Sequence, residues 1–469
     1  MLTLRGTSIR LPANVNNAAV TPYNRQHRIN ANSFQQNAIL SYNGWQYAAF
    51  YMPKHEANED TIDGSPRTAL VVNISRRRQS SETWETLMLK DYEQTADDGH
   101  NTISIGICEG DGTVHVSFDM HCDPLRFRIS KPGLANDPER HAWSDELFGP
   151  VLGQLPGVGD DIAQSQNFFS ELTYPRFLSA GEPFPPQSRA GSGSEILFKY
   201  SSTSHLYSYV GYLLKGVGNS PYINGLSYAD GRVHVSGTYR HFVDYEGVND
   251  PSSTKHKANA GPNGPENNYG LFYAYCDYES GGEDGSFTFR NTNGDVMAVL
   301  GRGESIYPDA EGLVVFDIPM NSGILNQEGQ TVDGEGGFHV LNRERIVGPG
   351  NGEERWMHYY RSKTGQWSKY VLPGPPYPTE TGARGSVISV GSNVFFALPG
   401  NTDGVLAIVR GGLSGPRGEY QIEWSASGFS GEPHLDTYTQ SSRQMLSVFT
   451  TTAVQKGEGK VVVLDFVVG

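Results

Sequence analysis

The stretch HNTISIGICEGDGTVHVSFDM (residues 100–120) contains two runs of alternating apolar residues on either side of a Gly- and Asp-rich segment. Alternation with period two predicts β-strands, and an Asp-Gly pair between two such runs predicts a hairpin. With Asp111-Gly112 as a two-residue turn, Ile105 faces Phe118, and the apolar residues of both strands share one face. The stretch therefore predicts a hairpin with one buried face.

Six further stretches repeat this pattern of two strand-like runs around a turn. They are residues 37–52, 174–201, 224–240, 329–343, 385–400 and 435–452. Seven such units predict an all-β fold, a seven-bladed β-propeller of four-stranded antiparallel blades, in one domain over residues 1–469. The N-terminal TLRGTSIRL (3–11) is expected to close the ring with VVVLDFVV (461–468). A pair of ordinary two-sheet sandwiches is the alternative architecture.

Composition excludes several classes of protein. The 36 Lys and Arg against 51 Asp and Glu give a net charge of −15, which argues against nucleic-acid binding. No run of about 18 apolar residues is present, so no membrane span is expected. The three cysteines allow at most one disulfide. Among the 469 residues, 56 Gly and 27 Pro supply turns and long loops. Residues 131–171 and 244–268 are predicted to be such loops at the mouth of the ring.

The predicted register of the first hairpin brings two histidines together. His121 lies opposite Thr102, and His100 lies two residues further along the same face. Diagonal cross-strand neighbours are roughly 7–8 Å apart, so both imidazoles can reach one ligand. The mid-strand His115 and His234 occupy repeat positions and are expected to be architectural.

The unit at 224–240 predicts a second turn of the same kind. With Asp230-Gly231 as its turn, Leu226 pairs with Val235 and Tyr228 pairs with Val233. Aligning the two units puts Arg240 at the position of His121. The same count puts Arg345 there in the next unit, with Arg343 two residues earlier. Because equivalent positions of different blades surround one mouth, these arginines are expected to favour an anionic ligand.

Four short motifs resemble those of a known family: DGHN (98–101), MHCD (120–123), TYPRF (173–177) and SRAGSGS (188–194). The chain resembles, from about residue 30 to its end, the seven-bladed propeller polysaccharide lyases with BNR-type repeats. That family includes ulvan lyases and a fungal lyase that removes rhamnose from glucuronate.

The resemblance implies an active site of two histidines, a tyrosine and an arginine. The matching positions are His100, His121, Tyr174 and Arg189. The lead-in PFPPQ before Arg189 departs from the family's aromatic one, so Arg176 is a second candidate for its role. Candidate substrate-binding residues are Arg176 again, Asn101, Arg240, Arg343 and Arg345.

The reaction that the resemblance implies is β-elimination at a uronate. An arginine neutralises the carboxylate, a base removes the C5 proton, and an acid protonates the leaving O4. Tyr174 and His100 are assigned to the proton transfers, with His121 as acid/base partner or carboxylate contact. Which group is the base stays open. A propeller glycoside hydrolase and a non-catalytic carbohydrate-binding propeller are the alternatives.

The implied surroundings follow from the same resemblance. The chain is expected to be a secreted, extracellular monomer acting on an acidic polysaccharide of rhamnose and glucuronate, either ulvan or a gum arabic side chain. Its first residues show no leader, so either the protein is intracellular or a leader has been removed, and the resemblance favours the second. No organic cofactor is expected. Calcium in the central channel is implied by resemblance alone, and His241, His256 and Cys276 lack the spacing of a zinc site.

Overall fold

A computed structural model describes most of the chain. The described residues are 2–12, 27–32, 34–53, 69–159, 168–179, 183–184, 193–248, 262–278, 286–348, 350–374, 383–400, 404–413, 419–437, 445–453 and 460–469. No helix in these ranges is long and apolar enough to cross a membrane. The chain divides into two compact units: Met1–Pro183, Ser201–Leu206 and Ser427–Gly469 form the first, and Phe184–Tyr200 and Tyr207–Ala426 form the second.

The predicted fold class is confirmed, since small antiparallel sheets in a β-propeller arrangement make up nearly all of the regular structure. The first unit contains three sheets of three or four strands. Their strands are Leu2–Pro12, Lys460–Val468, Met445–Thr451 and His434–Leu435; Ile39–Tyr42, Trp45–Pro53, Leu70–Arg78 and Glu85–Gln94; and Ile103–Ile107, Val114–Phe118 and Phe127–Ile129. In the first of these sheets the edge strand Leu2–Pro12 pairs with Lys460–Val468, with Leu2 opposite Val468, so the predicted pairing of the two terminal segments is confirmed.

The second unit contains one sheet of six strands, two sheets of four strands and one strand pair. The sheets are Asn219–Ala229, Arg232–His241, Asn268–Asp277, Phe287–Arg290, Val296–Leu300 and Val314–Phe316; Gly329–Val332, Phe338–Gly348, Gly350–Arg361 and Trp367–Val371; and Ser386–Val390, Asn393–Pro399, Leu406–Gly412 and Gln421–Ala426. Glu195–Ser201 pairs with Leu206–Leu214. Short strands also occur at His121–Asp123, Leu172–Thr173, Leu178–Ser179 and Pro183–Phe184, and 3₁₀ turns at Pro138–Arg140, Asp145–Leu147 and Pro265–Asn267.

The number of blades differs from the prediction of seven. The described residues form six sheets of three or more strands. The remaining predicted unit, 174–201, contributes two two-residue strands and the strand Glu195–Ser201, which pairs with Leu206–Leu214 in a two-stranded sheet; residues 180–182 and 185–192 lie outside the described ranges. That the whole chain is one domain stays a prediction.

The strands bury both faces because neighbouring sheets pack against each other. In the strand Trp45–Pro53, Tyr47 and Tyr51 join a core with Ile105, whereas Phe50 points the other way into a core with Phe449. Successive side chains of a strand point to opposite faces, so one strand serves two cores. This explains why the strand Trp45–Pro53 is apolar at successive positions.

The segment after the first hairpin differs from the predicted surface loop over 131–171. Leu134, Leu147 and Phe148 are buried in the same core as Ile105. These spaced apolar residues hold residues 131–159 against the sheet, because their burial favours packing over solvent exposure. Of the other predicted loop, 244–268, residues 249–261 lie outside the described ranges.

Four buried histidines predict that the protein loses stability in mild acid. Burial lowers the pKa of His115 and His234 to about 3, and that of His434 to about 4; it also lowers the pKa of His358 well below its usual value. The unfolded chain takes up protons below about pH 6.5, but these folded imidazoles do not. Stability is therefore full above pH 6.5, and each such histidine removes up to about 1.4 kcal/mol per pH unit as the pH falls towards its folded pKa.

Denaturant unfolding between neutral pH and about pH 4.5 measures this slope. His115→Phe, which keeps a ring between Phe127 and Phe177, should give a shallower slope than the parent protein. Phe127→Leu, which alters the packing around His115 without removing a titratable group, should leave the slope unchanged. If the His115→Phe variant keeps the full slope of the parent protein, the lowered pKa of His115 is contradicted.

Candidate active site

The register of the first hairpin differs from the predicted register by two residues. Ile105 pairs with Val116 rather than with Phe118, because residues 108–113 form a longer connection than a two-residue turn. The Asp111 carboxylate accepts the backbone N–H of Thr113 and stabilises this connection. A shift of two residues preserves the face of every side chain, so the predicted apolar face is still the buried one.

His121 reaches the site by a route that the sequence did not predict. Asp119 has a φ of 57°, so the chain turns out of the hairpin before His121. Cys122, directly after His121, has a φ of 52°. His121 starts a short strand and pairs with Thr173, the residue before Tyr174, which itself has a φ of 55°. Non-glycine residues in this left-handed region each cost on the order of 1–3 kcal/mol and are concentrated at functional sites.

Two histidines share one carboxylate in the first unit. His100 Nδ1 lies 2.5 Å from Asp98 Oδ1, and His121 Nδ1 lies 2.6 Å from Asp98 Oδ2. The two imidazoles are stacked with their centroids 3.8 Å apart and their planes at 17°. The predicted meeting of His100 and His121 is therefore observed, at a closer distance than expected.

Two further rings extend this stack. Phe34 lies on His100 with centroids 4.0 Å apart, and Tyr174 lies 5.3 Å from Phe34 and 5.9 Å from His100. Tyr174 is 2% exposed and His121 is 6% exposed, whereas His100 is half-buried. We call Asp98, His100, His121, Phe34 and Tyr174 the histidine cluster. It places two imidazoles and a phenol, which can accept and donate protons, in one group.

The charge of Asp98 is set by the two imidazoles. Burial alone would raise the pKa of this carboxyl group, but His100 and His121 together hold it well below its usual range. Asp98 is therefore an anion at neutral pH. A carboxylate anion has only acceptor sites, so each Nδ1 beside it carries a hydrogen and donates it.

Asp119 is the structural support beneath the cluster. It accepts hydrogen bonds from Tyr92 and from Asn101 Nδ2, the latter at 2.6 Å, and Arg126 donates to its backbone carbonyl oxygen. Asn101, a predicted substrate-binding residue, is 2% exposed. Its contact with Asp119 holds the chain next to His100, and its role in substrate binding stays a prediction.

Of the two arginines predicted to lie near the candidate catalytic histidines, the structure describes one. Arg176 is 5% exposed and lies two residues after Tyr174. Arg189 lies outside the described residues. The role of either arginine stays a prediction.

The other predicted arginines lie in the second unit. The turn predicted there at Asp230-Gly231 is confirmed, because Leu226 pairs with Val235. Arg240 is half-buried, and its guanidinium donates to Asn326 Oδ1 at 2.8 Å and Asn268 Oδ1 at 3.1 Å. Arg345 is exposed over 47% of its side chain and pairs with Glu354. Polar partners hold both side chains at or near the surface.

Arg343 is placed differently from the predicted substrate contact. Its side chain is fully buried, its Nε donates to Glu328 Oε1 at 2.9 Å, and its guanidinium lies 4.9 Å from the Trp356 ring centroid. This position gives no support to substrate binding by Arg343, because the guanidinium has no surface to offer. Strand register alone cannot distinguish it from Arg345.

Within the described ranges, three members of the cluster, Asp98, His100 and His121, place ligand atoms close enough together to hold a metal ion. One carboxylate and two imidazoles do not fit calcium, which takes 6–8 oxygen ligands. The Nδ1 atoms already donate to Asp98. The cluster gives no support to the calcium prediction, which stays open for residues outside this group. The cysteines Cys108, Cys122 and Cys276 are free thiols.

Two members of the cluster were not among the predicted residues. Asp98 is the first residue of the motif DGHN, so its signal was an acidic residue two positions before a candidate catalytic histidine. Phe34 lies 66 residues before His100 in a segment without strand periodicity, and nothing in the sequence points to it.

Comparisons with known proteins agree with this picture. The model described as "BNR repeat-containing family member" matches residues 45–373. The long isoforms of ulvan lyase from Alteromonas sp. (strain LOR) and Pseudoalteromonas sp. (strain PLSV) are 23% and 24% identical over 296 and 298 residues, covering 56% of this chain. Those residues are 28% of each relative, so the match spans little more than a quarter of their length.

Two solved structures share the fold over nearly the whole chain. The polysaccharide lyase Uly1 matches with a TM-score of 0.66 at 16% identity, covering 99% of both chains. A PL25 ulvan lyase bound to -[GlcA(1-4)Rha3S]- matches with a TM-score of 0.59 at 12% identity, covering 96% of both chains. The resemblance inferred from DGHN, MHCD, TYPRF and SRAGSGS is thereby confirmed.

Proposed function

The chain belongs to the BNR repeat-containing family, and from this premise we propose that it is a polysaccharide lyase. The linkage that it cleaves is L-rhamnose-α-1,4-D-glucuronate, by β-elimination at the uronate. The observation that carries the proposal is the histidine cluster, which groups His100, His121 and Tyr174. The names of the ulvan lyases among its relatives, and the GlcA(1-4)Rha3S unit bound to one similar structure, support the substrate class.

The proton transfers of such an elimination balance within the cluster. A base removes the C5 proton, the electron pair forms the C4–C5 double bond, and the C4–O4 bond breaks. An acid then gives its proton to O4, which leaves as the hydroxyl of the released sugar. His100 is the most exposed of the three candidate groups and is assigned to one transfer, with Tyr174 to the other. His121, stacked on His100, is the acid/base partner or contacts the uronate carboxylate.

The C5 proton of a uronate is weakly acidic because the neighbouring carboxylate resists further negative charge. A guanidinium paired with that carboxylate stabilises the charge that develops in the transition state. We assign this role to Arg189, with Arg176 as the second candidate. Arg240 and Arg345 are proposed to bind anionic groups of the polymer.

The proposed substrate is an acidic polysaccharide, and the protein is proposed to be secreted and monomeric. We favour release of rhamnose over internal cleavage. An ulvan-type endolyase is the other form of the same reaction.

The test is product analysis on ulvan and on gum arabic. A lyase forms an unsaturated uronate that absorbs in the ultraviolet, and the pair of products is lighter by one water than the pair from hydrolysis. Free rhamnose identifies the rhamnose-releasing type, and unsaturated oligosaccharides identify an endolyase. Saturated products contradict the proposal in favour of a hydrolase. Binding without any product contradicts it in favour of a carbohydrate-binding propeller.

A further inference from the structure

One carboxylate holds two stacked imidazoles, and this arrangement points to a role for Asp98 that rests on the proposed function. We propose that Asp98 is the positioning residue of the histidine cluster. It accepts a hydrogen bond from Nδ1 of His100 and of His121, and so presents Nε2 of both rings as the atom that exchanges protons with the substrate.

The tautomer of both rings follows from the chemistry of the carboxylate. A neutral imidazole has one N–H and one acceptor nitrogen, and its tautomer is set by the partner of either nitrogen. Asp98 is an anion, so it can only accept, and it accepts with a different oxygen from each ring. In their neutral forms, both His100 and His121 therefore carry hydrogen at Nδ1 and a lone pair at Nε2.

Packing holds the rings in this orientation. His100 lies between His121 on one face and Phe34 on the other, with centroids 3.8 and 4.0 Å away. A ring flip, which would exchange Nδ1 for a carbon atom beside Asp98, would have to break both contacts. Asp98 is itself held by the chain, because its Oδ1 also accepts the backbone N–H of His100 at 2.9 Å.

Replacing Asp98 by asparagine changes the tautomer with almost no change in shape. The amide offers one acceptor oxygen and one donor NH₂ group in place of two acceptor oxygens. One of the two histidines must then accept at Nδ1 and carry its hydrogen at Nε2. That ring can no longer take a proton at Nε2, although the stack and the substrate-binding surface remain.

The experiment combines kinetics with a direct measurement of tautomers. Asp98→Asn should lower kcat by up to about 10⁴-fold, the loss found for a carboxylate that orients a catalytic histidine, with little change in KM. Asp98→Glu keeps the carboxylate and should recover at least about tenfold of that loss. Asp97→Asn is the matched control, because Asp97 is the adjacent acid and hydrogen-bonds to His27, and its kcat should not change.

Nitrogen NMR of histidine-labelled protein reads the tautomers without any substrate. The expected result is Nδ1–H for both His100 and His121 in the parent protein, and Nε2–H for one of them in Asp98→Asn. Nε2–H on either neutral ring of the parent overturns the proposal, even if the variant fails to fold. Unchanged kcat in a folded Asp98→Asn variant also overturns it. A parent protein that forms no unsaturated product overturns the proposed function instead, and the NMR result then still decides the role of Asp98.

Discussion

His100→Gln is expected to lower kcat for formation of the unsaturated product by about 10²- to 10⁴-fold. Glutamine can keep a hydrogen bond to Asp98 through its amide, but it cannot take up or release a proton near neutral pH. His100 is the most exposed proton-transfer group of the histidine cluster and lies between His121 and Phe34, so its loss removes the group best placed to meet a uronate. The initial rate of ultraviolet absorbance at saturating substrate measures the effect.

The control for this variant is His205→Gln. His205 also pairs with an aspartate, Asp111, at 2.8 Å, but its side chain is 49% exposed and lies outside the cluster. Its kcat should stay within about twofold of the parent value. If a folded His100→Gln variant eliminates as fast as His205→Gln, His100 does not transfer a proton in the reaction.

Arg343→Met is expected to destabilise the protein by about 3–5 kcal/mol, because it leaves Glu328 buried without its main partner. Glu328 would keep the backbone N–H of Gly385 at 2.8 Å, but the paired charge and the contact with the Trp356 ring would be lost. The denaturant midpoint at constant slope measures the change in the free energy of unfolding.

Arg345→Met provides the comparison from the same strand. The Arg345 side chain is 47% exposed, so water reaches one side of its pair with Glu354, which is itself 7% exposed, and its loss should cost less than the loss of the fully buried Arg343. The two variants also separate the roles predicted for these arginines. An Arg343→Met protein with parental stability and a raised KM would restore Arg343 as a substrate contact and contradict the structural ion pair.

The two Asp-Gly hairpins show how far sequence can predict register. Asp230 and Gly231 have φ values of 49° and 71°, as a two-residue turn requires, and the pairs around them were predicted correctly. Asp111-Gly112 is the same dipeptide, but the Asp111 carboxylate accepts the backbone N–H of Thr113, and residues 108–113 form a longer connection. The two turns differ because of a local side-chain hydrogen bond, which the hydrophobic periodicity of the sequence does not reveal.

The site was predictable in part. His100 and His121 were correctly predicted to meet, although His121 reaches the site in a short strand paired with Thr173 and not in the hairpin. Their partner Asp98 was within the motif but not chosen, and Phe34 had no signal at all. Arg343 and Arg345 could not be distinguished, since burial depends on the neighbouring sheet, which pairs within one hairpin do not specify.

The left-handed backbone at Asp119, Cys122 and Tyr174 has an implication for engineering this protein. Glycine at such positions relieves local strain, so a search for heat-resistant variants would select it there. Yet these residues turn the chain towards His121 and set Tyr174 beside Phe34. Thermal stability and activity are therefore expected to conflict at these three positions, and stabilising substitutions are better sought in the outer strands.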